Sequence, residues 1–319
     1  MKAIATDRLG GTERLRLIDI PRPEPQSGQV RIQIKAAGVG IWDETFIHGE
    51  IPQLSPRKFP AIPGWEGAGV ISAVGPGVTR FKPGDEVFFL SYPGDDFDGA
   101  WAEETLVAER CVGHKPASLS MVEAGGFPII ALTAYQALKR GLSLKSGQSL
   151  LICSGAGGVG TCAIQLAKIM EVRVLALAGS ANHPLLRELG AEGAFDYHGN
   201  FVSEIQKLFP NGVDCVFDDV GEGFPERHGT IAKAMACLKT GGVFVTIVEE
   251  FEDLKRPDVR GGFLAVEADG KELEEIARFV DEGKLRVVID QVYSLTDFRQ
   301  AMEKVKGGHV HGKVVLKVA

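Results

Sequence analysis

Three glycines in one short stretch have the types and the spacing of a phosphate-binding turn. Gly155, Gly157 and Gly160 form the pattern G-x-G-x-x-G, directly after an apolar run at residues 150–153 that predicts a buried strand. Apolar residues then recur at helical spacing, so a helix is predicted to begin inside the pattern. Such a turn lets backbone amides and a helix N-terminus approach a diphosphate. The predicted dinucleotide-binding residues are Gly155, Ala156, Gly157, Gly158, Val159 and Gly160.

The residues after the next predicted strand bear on which dinucleotide is bound. An NAD site commonly has Asp or Glu about 20 residues beyond the glycine pattern, where it binds the ribose 2′-hydroxyl. Here no carboxylate follows the strand at 172–177, while Ser180 and Asn182 can hydrogen-bond a 2′-phosphate. Arg187 lies four residues after His183, so one helix face can present both. These residues favour NADP(H) over NAD(H) as the cofactor. Alternatively, Arg187 only faces solvent, and the protein prefers NADP(H) weakly or uses both cofactors.

Composition excludes several classes of partner. The chain has 319 residues, of which 45% are hydrophobic and 24% charged, as expected for a globular protein of two domains. The formal net charge is -7 and no basic run stands out, so neither nucleic acid nor a membrane surface is expected as a partner. The N-terminus lacks an apolar signal core, and no stretch of about 18 apolar residues occurs, which predicts a cytoplasmic location. The five cysteines are scattered, and we expect reduced thiols.

Two regions of different pattern must position these residues. Residues 1–115 read as short strands between Gly and Pro turn signals, which predicts a compact, barrel-like β domain. Residues 120–140 are helical by pattern, and strands then alternate with helices as far as residue 248, which predicts a doubly wound parallel sheet. A polar loop is expected at 249–262. Two amphipathic helices and a final strand follow, and that strand, at 313–318, is expected to return to the first domain.

Several short motifs accompany the glycine turn in a characteristic order. They lie at residues 36–39, 63–70, 74–75, 84–87, 99–103, 132–138 and 312–316. In these segments, and over nearly its whole length, the chain resembles the medium-chain dehydrogenase/reductase superfamily in its zinc-free, quinone oxidoreductase-like branch. The resemblance implies an α/β protein with a GroES-like domain at 1–115, to which 290–319 return, and a Rossmann NADP-binding domain at 116–289. It also implies a hydride-transfer site in the cleft between the domains, and a homodimer.

The resemblance argues against a metal centre. Zinc-dependent relatives place a Cys and a His where this chain has Gly40 and Trp65, and neither residue can supply a zinc ligand. The four close cysteines of a structural zinc lobe are also missing. Cys111 and His114 have the spacing of metal ligands, but no second pair of ligands accompanies them in the sequence. We therefore interpret them as packing residues. No metal is therefore predicted.

Further cofactor-binding residues are implied by the resemblance alone. Relatives that use NADP often carry Lys where His183 stands, and Tyr where Tyr197 follows the third strand of the Rossmann domain. Thr246 is expected to end the fifth strand beside the nicotinamide. The remaining positions that the resemblance implies are Val220, Phe263, Leu264 and Lys313.

The catalytic candidates are polar residues near the positions where relatives hold their substrates. Relatives carry Asn at Gly40 and Tyr at Thr45, so neither side chain is kept, and backbone, ribose hydroxyls or water would stabilise the acceptor instead. The candidates are Asp43, Thr45, His48 and Thr133. For Asp43 the alternative is a helix cap, and for His48 an ordinary loop position.

Together these features predict an NADPH-dependent reductase that transfers hydride to a quinone or an α,β-unsaturated carbonyl compound without zinc. Two alternatives stay open. One is an enoyl-thioester reductase, and the other is a non-catalytic NADP-binding protein of the sensor or crystallin-like kind. Zinc-dependent alcohol oxidation is disfavoured by Gly40 and Trp65.

Overall fold

The computed structural model describes residues 1–50, 55–56, 58–92, 99–221, 229–248 and 256–318. The chain divides into two units, which we call unit 1 and unit 2. Unit 1 comprises Met1–Leu132, Ala268–Gly283 and Val287–Ala319, and unit 2 comprises Thr133–Glu267 and Lys284–Arg286. Unit 1 is therefore completed by segments from the C-terminal part of the chain.

The regular elements are numbered in chain order. The strands are β1 (Lys2–Ala5), β2 (Arg16–Asp19), β3 (Gln29–Val39), β4 (Glu66–Val74), β5 (Glu86–Leu90), β6 (Glu104–Ala108), β7 (Val112–His114), β8 (Ser149–Ile152), β9 (Arg173–Leu177), β10 (Gly193–Phe195), β11 (Val213–Asp218), β12 (Leu238–Thr246), β13 (Arg260–Phe263), β14 (Ile289–Ser294) and β15 (Lys313–Lys317). The helices are α1 (Ile41–His48), α2 (Met121–Gly125), α3 (Pro128–Gln136), α4 (Gly158–Ile169), α5 (His183–Leu189), α6 (Phe201–Leu208), α7 (Thr230–Ala236), α8 (Gly270–Asp281) and α9 (Phe298–Lys306).

Unit 1 is built around the long strand β3. Its main sheet runs β14-β15-β3-β4-β5-β7 through the described residues, and β6 also pairs with β3. β3 is antiparallel to β4, β6 and β15. Val30, Ile32 and Ile34 alternate along β3 and are fully buried, because alternate side chains of a strand point to the same face of the sheet. The β-rich character predicted for this part of the chain is confirmed.

Unit 2 contains a parallel sheet in the order β10-β9-β8-β11-β12-β13. Numbered within the unit, this order is 3-2-1-4-5-6, which is that of a doubly wound dinucleotide-binding sheet. Every residue of β8 is buried, as expected for a parallel strand covered on both faces. The strand order reverses between β8 and β11, and in sheets of this kind the carboxyl ends of the strands at the reversal are where ligands bind. The predicted doubly wound sheet is confirmed.

The predicted helix at 120–140 is broken in the structure. α2 ends at Gly125, and α3 begins at Pro128. A Cβ at Gly125 would lie 2.6 Å from the Cβ of Ala36 in β3, so this glycine allows a close approach to the sheet. Pro128 then begins a new helix, because the first helical turn needs no amide donor.

The division between the units differs from the predicted boundaries at residues 116 and 290. α2 packs on β3 and α8 packs on β7, so both helices belong to unit 1. A Cβ at Gly270, the first residue of α8, would lie 2.0 Å from the Val112 carbonyl oxygen, which shows how tightly this helix is seated. Helical periodicity identifies such helices but not the core that they join.

A strand lies where part of a polar loop was predicted. β13 pairs in parallel with β12, while residues 249–255 of that predicted loop lie outside the described residues. A Cβ at Gly261 would lie 1.7 Å from the Phe244 carbonyl oxygen, and the φ of Gly261 is +125°. Glycine therefore permits a backbone approach that a side chain would block, and no hydrophobic alternation reveals such a strand.

Candidate nucleotide site and buried charge cluster

The glycine turn joins β8 to α4 as predicted. A Cβ at Gly160 would lie 2.0 Å from the Ser154 carbonyl oxygen, and one at Gly155 would lie 2.8 Å from the Cβ of Ala176. At Gly157 the nearest atom would be Ser154 Oγ, at 3.2 Å. Gly157 is the N-cap of α4 and has no side chain with which to cap it. Because the first N–H groups of a helix have no intrahelical acceptor, this end of α4 is suited to an anion.

The remaining predicted residues of the turn differ in exposure. Ala156 is buried, whereas Gly158 and Val159, which open α4, are partly exposed. The backbone N–H of Ser154 donates to Asp219 Oδ1 at 2.7 Å, and Asp219 directly follows β11. The turn is thus tied to the neighbouring strand by a carboxylate that the sequence analysis missed. A carboxylate at the end of an apolar strand was the available signal.

Asp218, the last residue of β11, is fully buried and holds two loops. Its Oδ2 accepts a hydrogen bond from Thr246 Oγ1 at 2.8 Å, and Thr246 ends β12. Its Oδ1 accepts from the backbone N–H groups of Val220 at 3.3 Å and Gly221 at 3.1 Å. Thr246 Oγ1 in turn accepts from the N–H of Val248 at 3.2 Å. Two residues predicted to bind the cofactor, Val220 and Thr246, are therefore positioned by one carboxylate that was not predicted.

Phe263 and Leu264 lie at the carboxyl end of β13. Phe263 is in register with Thr246 and is 41% exposed. The N–H of Leu264 donates to the Thr246 carbonyl oxygen at 2.9 Å. Both residues therefore lie beside the end of β12.

The loop after β9 carries the residues predicted to bind a 2′-phosphate. Ser180 and Asn182 belong to a short 3₁₀ turn. A Cβ added at Gly179 would meet no atom within 4 Å, so the space beside this loop is open. The polar side chains and the open space fit a phosphate group.

Three other residues predicted near that phosphate have different surroundings. His183 Nε2 lies 3.2 Å from the Ala178 carbonyl oxygen, so the imidazole contacts the backbone of the loop. Arg187 is exposed on α5. Tyr197 is 8% exposed, belongs to the hydrophobic core of unit 2, and has its ring centroid 4.2 Å from that of His198. Arg187 is thus the accessible cation among the three, while the Tyr197 ring mainly packs.

The residues predicted to bind a dinucleotide gather at one edge of unit 2, with one exception. Each ends or follows a parallel strand, and the carboxyl ends of parallel strands meet at one edge of a sheet. The exception is Lys313, which opens β15 in unit 1. The catalytic candidate Thr133 lies in α3, belongs to unit 2 and is 4% exposed.

Asp43 in α1 is buried and held by two backbone amides. Its Oδ2 accepts from the N–H of Gly40 at 2.8 Å, and its Oδ1 accepts from the N–H of Gly64 at 2.9 Å. Burial raises the pKa of Asp43 to about 7, although both amides and the charge of Lys313 act to lower it. Because both oxygens are occupied, Asp43 positions the backbone at the start of α1, where Gly40 is the N-cap and Asp43 is the third helical residue.

The other two candidates on α1 lie nearer the surface. Thr45 Oγ1 is 3.5 Å from the Ile41 carbonyl oxygen one turn earlier, and Thr45 is partly buried. His48 is exposed, with Nε2 3.6 Å from Glu44 Oε1 and Nδ1 3.6 Å from Glu50 Oε1. Both side chains remain available to a bound molecule, unlike that of Asp43.

A buried ion pair occupies the core beside α1. Lys313 Nζ lies 2.7 Å from Glu66 Oε1 and 4.4 Å from the Trp42 ring centroid. Glu66 Oε2 accepts from the N–H of Ile129 at 2.8 Å. Burial raises the pKa of Glu66, while Lys313 acts to lower it. This environment does not support the prediction that Lys313 binds cofactor, because its ammonium group neutralises Glu66 in a closed core.

Aromatic rings fill the region in which a zinc ligand set was considered. A Cβ at Gly40 would lie 2.2 Å from the indole of Trp42. The Trp65 ring centroid lies 6.4 Å from that of Trp42 and 5.3 Å from that of Tyr92. Among the described residues, no three His, Cys, Asp or Glu side chains are grouped as a metal ion requires. The donor chemistry here does not fit a zinc ion.

The parallel sheet, its glycine turn and the carboxyl-edge residues define a dinucleotide-binding fold. Residues 26–117 match the family model of the alcohol dehydrogenase GroES-like domain, and residues 189–316 match that of the zinc-binding dehydrogenases. The chloroplastic quinone-oxidoreductase QR1 of Triphysaria versicolor is 33% identical over 99% of this chain and 98% of its own. The chain therefore belongs to the medium-chain dehydrogenase/reductase superfamily, in its quinone oxidoreductase-like branch.

Two further comparisons extend this assignment. The 2-methylene-furan-3-one reductase of Solanum lycopersicum is 32% identical and covers 99% of this chain, which in turn covers 79% of the reductase. A mycobacterial protein solved in complex with NADPH superposes with a TM-score of 0.85 at 27% identity, over the whole of both chains. The protein is an NAD(P)-dependent oxidoreductase of small molecules. Among its described helices, none has the length and apolarity needed to cross a bilayer.

Proposed function

We propose that the protein is an NADPH-dependent reductase that transfers hydride, without zinc, to a quinone or an α,β-unsaturated carbonyl compound. The observation that carries the proposal is the uncapped start of α4 at the reversal of strand order between β8 and β11. Its partly exposed amides would hold the diphosphate. The relatives named for quinones and for a methylene-furanone support the two acceptor classes.

The proposed preference for NADPH rests on the loop after β9. Ser180 and Asn182 can hydrogen-bond a 2′-phosphate, and the exposed Arg187 can pair with its charge. The open space at Gly179 leaves room for the additional group. A related structure that contains NADPH supports this choice.

The bound nicotinamide would supply the hydride, and the residues of this chain would orient it and the acceptor. Val220 and Thr246, held by Asp218, would contact the nicotinamide half together with Phe263 and Leu264. Thr45, His48 and Thr133 are the proposed donors to oxygen charge that develops on the acceptor. We assign Asp43 a positioning role instead.

The zinc-free mechanism rests on the donor chemistry at Gly40 and Trp65, which cannot supply the ligands of a catalytic zinc. Homodimeric assembly is part of the proposal and rests on family resemblance. The cytoplasmic location is proposed from composition and from five buried, free cysteines, which suit a reducing compartment.

The test is steady-state oxidation of NADPH and of NADH with 9,10-phenanthrenequinone, 1,4-benzoquinone and an α,β-enal, before and after treatment with EDTA. We expect turnover of at least one acceptor, a lower KM for NADPH than for NADH, and no loss of rate after EDTA. An equal KM for the two cofactors, or a preference for NADH, would contradict the cofactor assignment. Activity that is lost with EDTA and restored by zinc would contradict the zinc-free mechanism.

Two other outcomes would favour the alternatives. Tight NADPH binding with no turnover of any acceptor would identify a non-catalytic binding protein. Turnover confined to an added enoyl thioester would identify an enoyl-thioester reductase.

A further inference from the structure

Asp196 places a carboxylate beside the loop that follows β9, although no acid occurs in that loop. Asp196 directly follows β10, which neighbours β9, and it is partly exposed. Its Oδ2 accepts from the N–H of Ser180 at 3.2 Å, and its Oδ1 accepts from the N–H of His198 at 2.9 Å. The N–H of Ala178 also donates to the Phe195 carbonyl oxygen at 3.1 Å. Backbone pairing thus continues from β9 and β10 up to the carboxylate.

We propose that Asp196 limits how strongly the protein discriminates NADPH from NADH. In a doubly wound dinucleotide sheet, the groups after the second strand face the ribose 2′-substituent, and β9 is the second strand of unit 2. A carboxylate there repels a 2′-phosphate and accepts a hydrogen bond from a 2′-hydroxyl. The inference rests on the nucleotide site of the proposed function.

Two observations make Asp196 effective in this role. Both of its oxygens contact backbone N–H groups, and among the described residues no cationic side chain forms an ion pair with it. The Ser180 amide, which would otherwise be free to donate to a phosphate oxygen, already donates to Asp196. A 2′-phosphate therefore competes with a negative group for this donor.

The discriminating experiment is calorimetric titration of the full-length protein with 2′,5′-ADP and with 5′-AMP, which differ only in the 2′-phosphate. We expect Asp196→Asn to bind 2′,5′-ADP about tenfold more tightly than the wild type, because a like charge beside the phosphate is removed. Binding of 5′-AMP should not tighten. It should weaken by no more than about threefold, because the Asn amide oxygen is a weaker acceptor for the 2′-hydroxyl than a carboxylate is. The gain for 2′,5′-ADP should shrink in high salt, which screens the repulsion.

Glu192→Gln is the matched control. Glu192 precedes β10, at the opposite end of the strand, and pairs with Arg173 at 2.7 Å on the surface. This variant changes the net charge by the same amount and should leave the ratio of the two dissociation constants unchanged. Asp196→Ser is a second neutral variant, should Asp196→Asn fold poorly.

The inference is overturned if neutral variants that still bind both nucleotides keep the wild-type ratio of dissociation constants; the proposed function then stands. If the wild type binds neither nucleotide, the proposed nucleotide site and the role of Asp196 are both wrong.

Discussion

Buried charges of unit 1 decide what the polar residues around α1 can do. Asp43, Glu66 and Lys313 are each at most 3% exposed and interact through their charges. A buried charge is strongly unfavourable unless a partner compensates it. Lys313 is therefore committed to Glu66, and Asp43 to two backbone amides. Groups engaged in this way position the fold rather than act on a substrate.

Replacing Lys313 with Met should be strongly destabilising. It leaves the Glu66 carboxylate buried without its cation, for which we expect a loss of about 3–5 kcal/mol in the free energy of unfolding. Urea unfolding followed by circular dichroism measures this loss. Adding Glu66→Gln to the Lys313→Met protein should recover a large part of it, because residue 66 then no longer carries a buried charge that lacks its cation.

Lys306→Met is the comparison for that variant. Lys306 pairs with Glu44 at 2.8 Å, but its side chain is 39% exposed. The Glu44 side chain is 14% exposed, but His48 stays beside it and water reaches the Lys306 ammonium group, so the loss of stability in Lys306→Met should be no more than about 1 kcal/mol. If Lys313→Met costs no more than Lys306→Met, the buried pair does not have the role assigned here.

Replacing Asp43 with Asn should have an effect that depends on pH. The pKa of Asp43 is about 7 in the folded protein and near 3.8 in the unfolded chain, so the folded state holds the proton more tightly. The contribution of Asp43 to stability is complete below the unfolded pKa and is lost as pH rises through 7. Asp43→Asn should therefore be less stable than the wild type at pH 5, since one amide loses its acceptor, and the difference should narrow by pH 8. Thermal unfolding at the two pH values measures this.

Asp85→Asn is the comparison. Its difference in stability from the wild type should not narrow between pH 5 and pH 8. A hydrogen bond from Lys82 holds the pKa of Asp85 below its usual value, so its stabilisation persists above the unfolded pKa and is lost only as pH falls through the folded one. If the difference in stability between the wild type and Asp43→Asn widens between pH 5 and pH 8, the raised pKa of Asp43 is contradicted.

At the scale of elements, the turn between β8 and α4 depends on glycines that let backbone segments approach each other closely, rather than on the helix or strand propensity of its residues. Gly160 allows the helix to reach the loop, while Gly157 has nearly enough room for a methyl group. A side chain at Gly160 would therefore disturb packing within the protein, whereas one at Gly157 would mainly disturb a bound ligand. β13 depends on the same freedom, since Gly261 pairs where a side chain cannot fit.

Gly160→Ala should lower both the thermal midpoint and the affinity for NADPH, because its methyl group would lie 2.0 Å from the Ser154 carbonyl oxygen. Gly157→Ala should leave the thermal midpoint nearly unchanged and weaken NADPH binding, because the methyl group would obstruct the diphosphate rather than the protein. Thermal shift and fluorescence titration separate the two effects. Equal losses of stability in both variants would show that the turn has only a structural role.

At the scale of the whole molecule, unit 1 is discontinuous. β15 pairs with β3 inside the main sheet, and Val314, Val315 and Leu316 are fully buried there. The first 132 residues therefore lack a strand of their own core.

A chain that ends at Glu267 should not form a stable unit 1. The truncation removes α8, β14, α9 and β15, and exposes the edge of β3 for aggregation. We expect insoluble protein, or soluble protein without a cooperative unfolding transition. Deletion of residues 318–319 is the control. Of the backbone pairing in the described part of the chain, it removes the hydrogen bond from Val318 N–H to the Lys35 carbonyl oxygen and keeps every residue of β15. If the chain that ends at Glu267 is soluble and unfolds in two resolved cooperative transitions, one for each unit, unit 1 folds without its C-terminal segments.

Local pattern was sufficient to predict the glycine turn, the parallel sheet and the polar residues that follow β9. These features depend on short-range rules, because a strand, a tight turn and a helix follow one another within 20 residues of the chain. The short strands β1, β7 and β14 were not predicted, since pairing with distant partners rather than alternation creates them.

By itself, the sequence determined that the protein has a β-rich region followed by a dinucleotide-binding sheet, and it identified the family. Only the tertiary structure decided that Lys313 neutralises Glu66, that Asp218 positions Val220 and Thr246, and that Asp196 stands beside Ser180. The contact between Asp218 and Val220 is local. The other contacts join residues that are between 16 and 247 positions apart in the chain. Periodicity and spacing report only on neighbours along the chain, whereas charge compensation depends on which groups folding buries together.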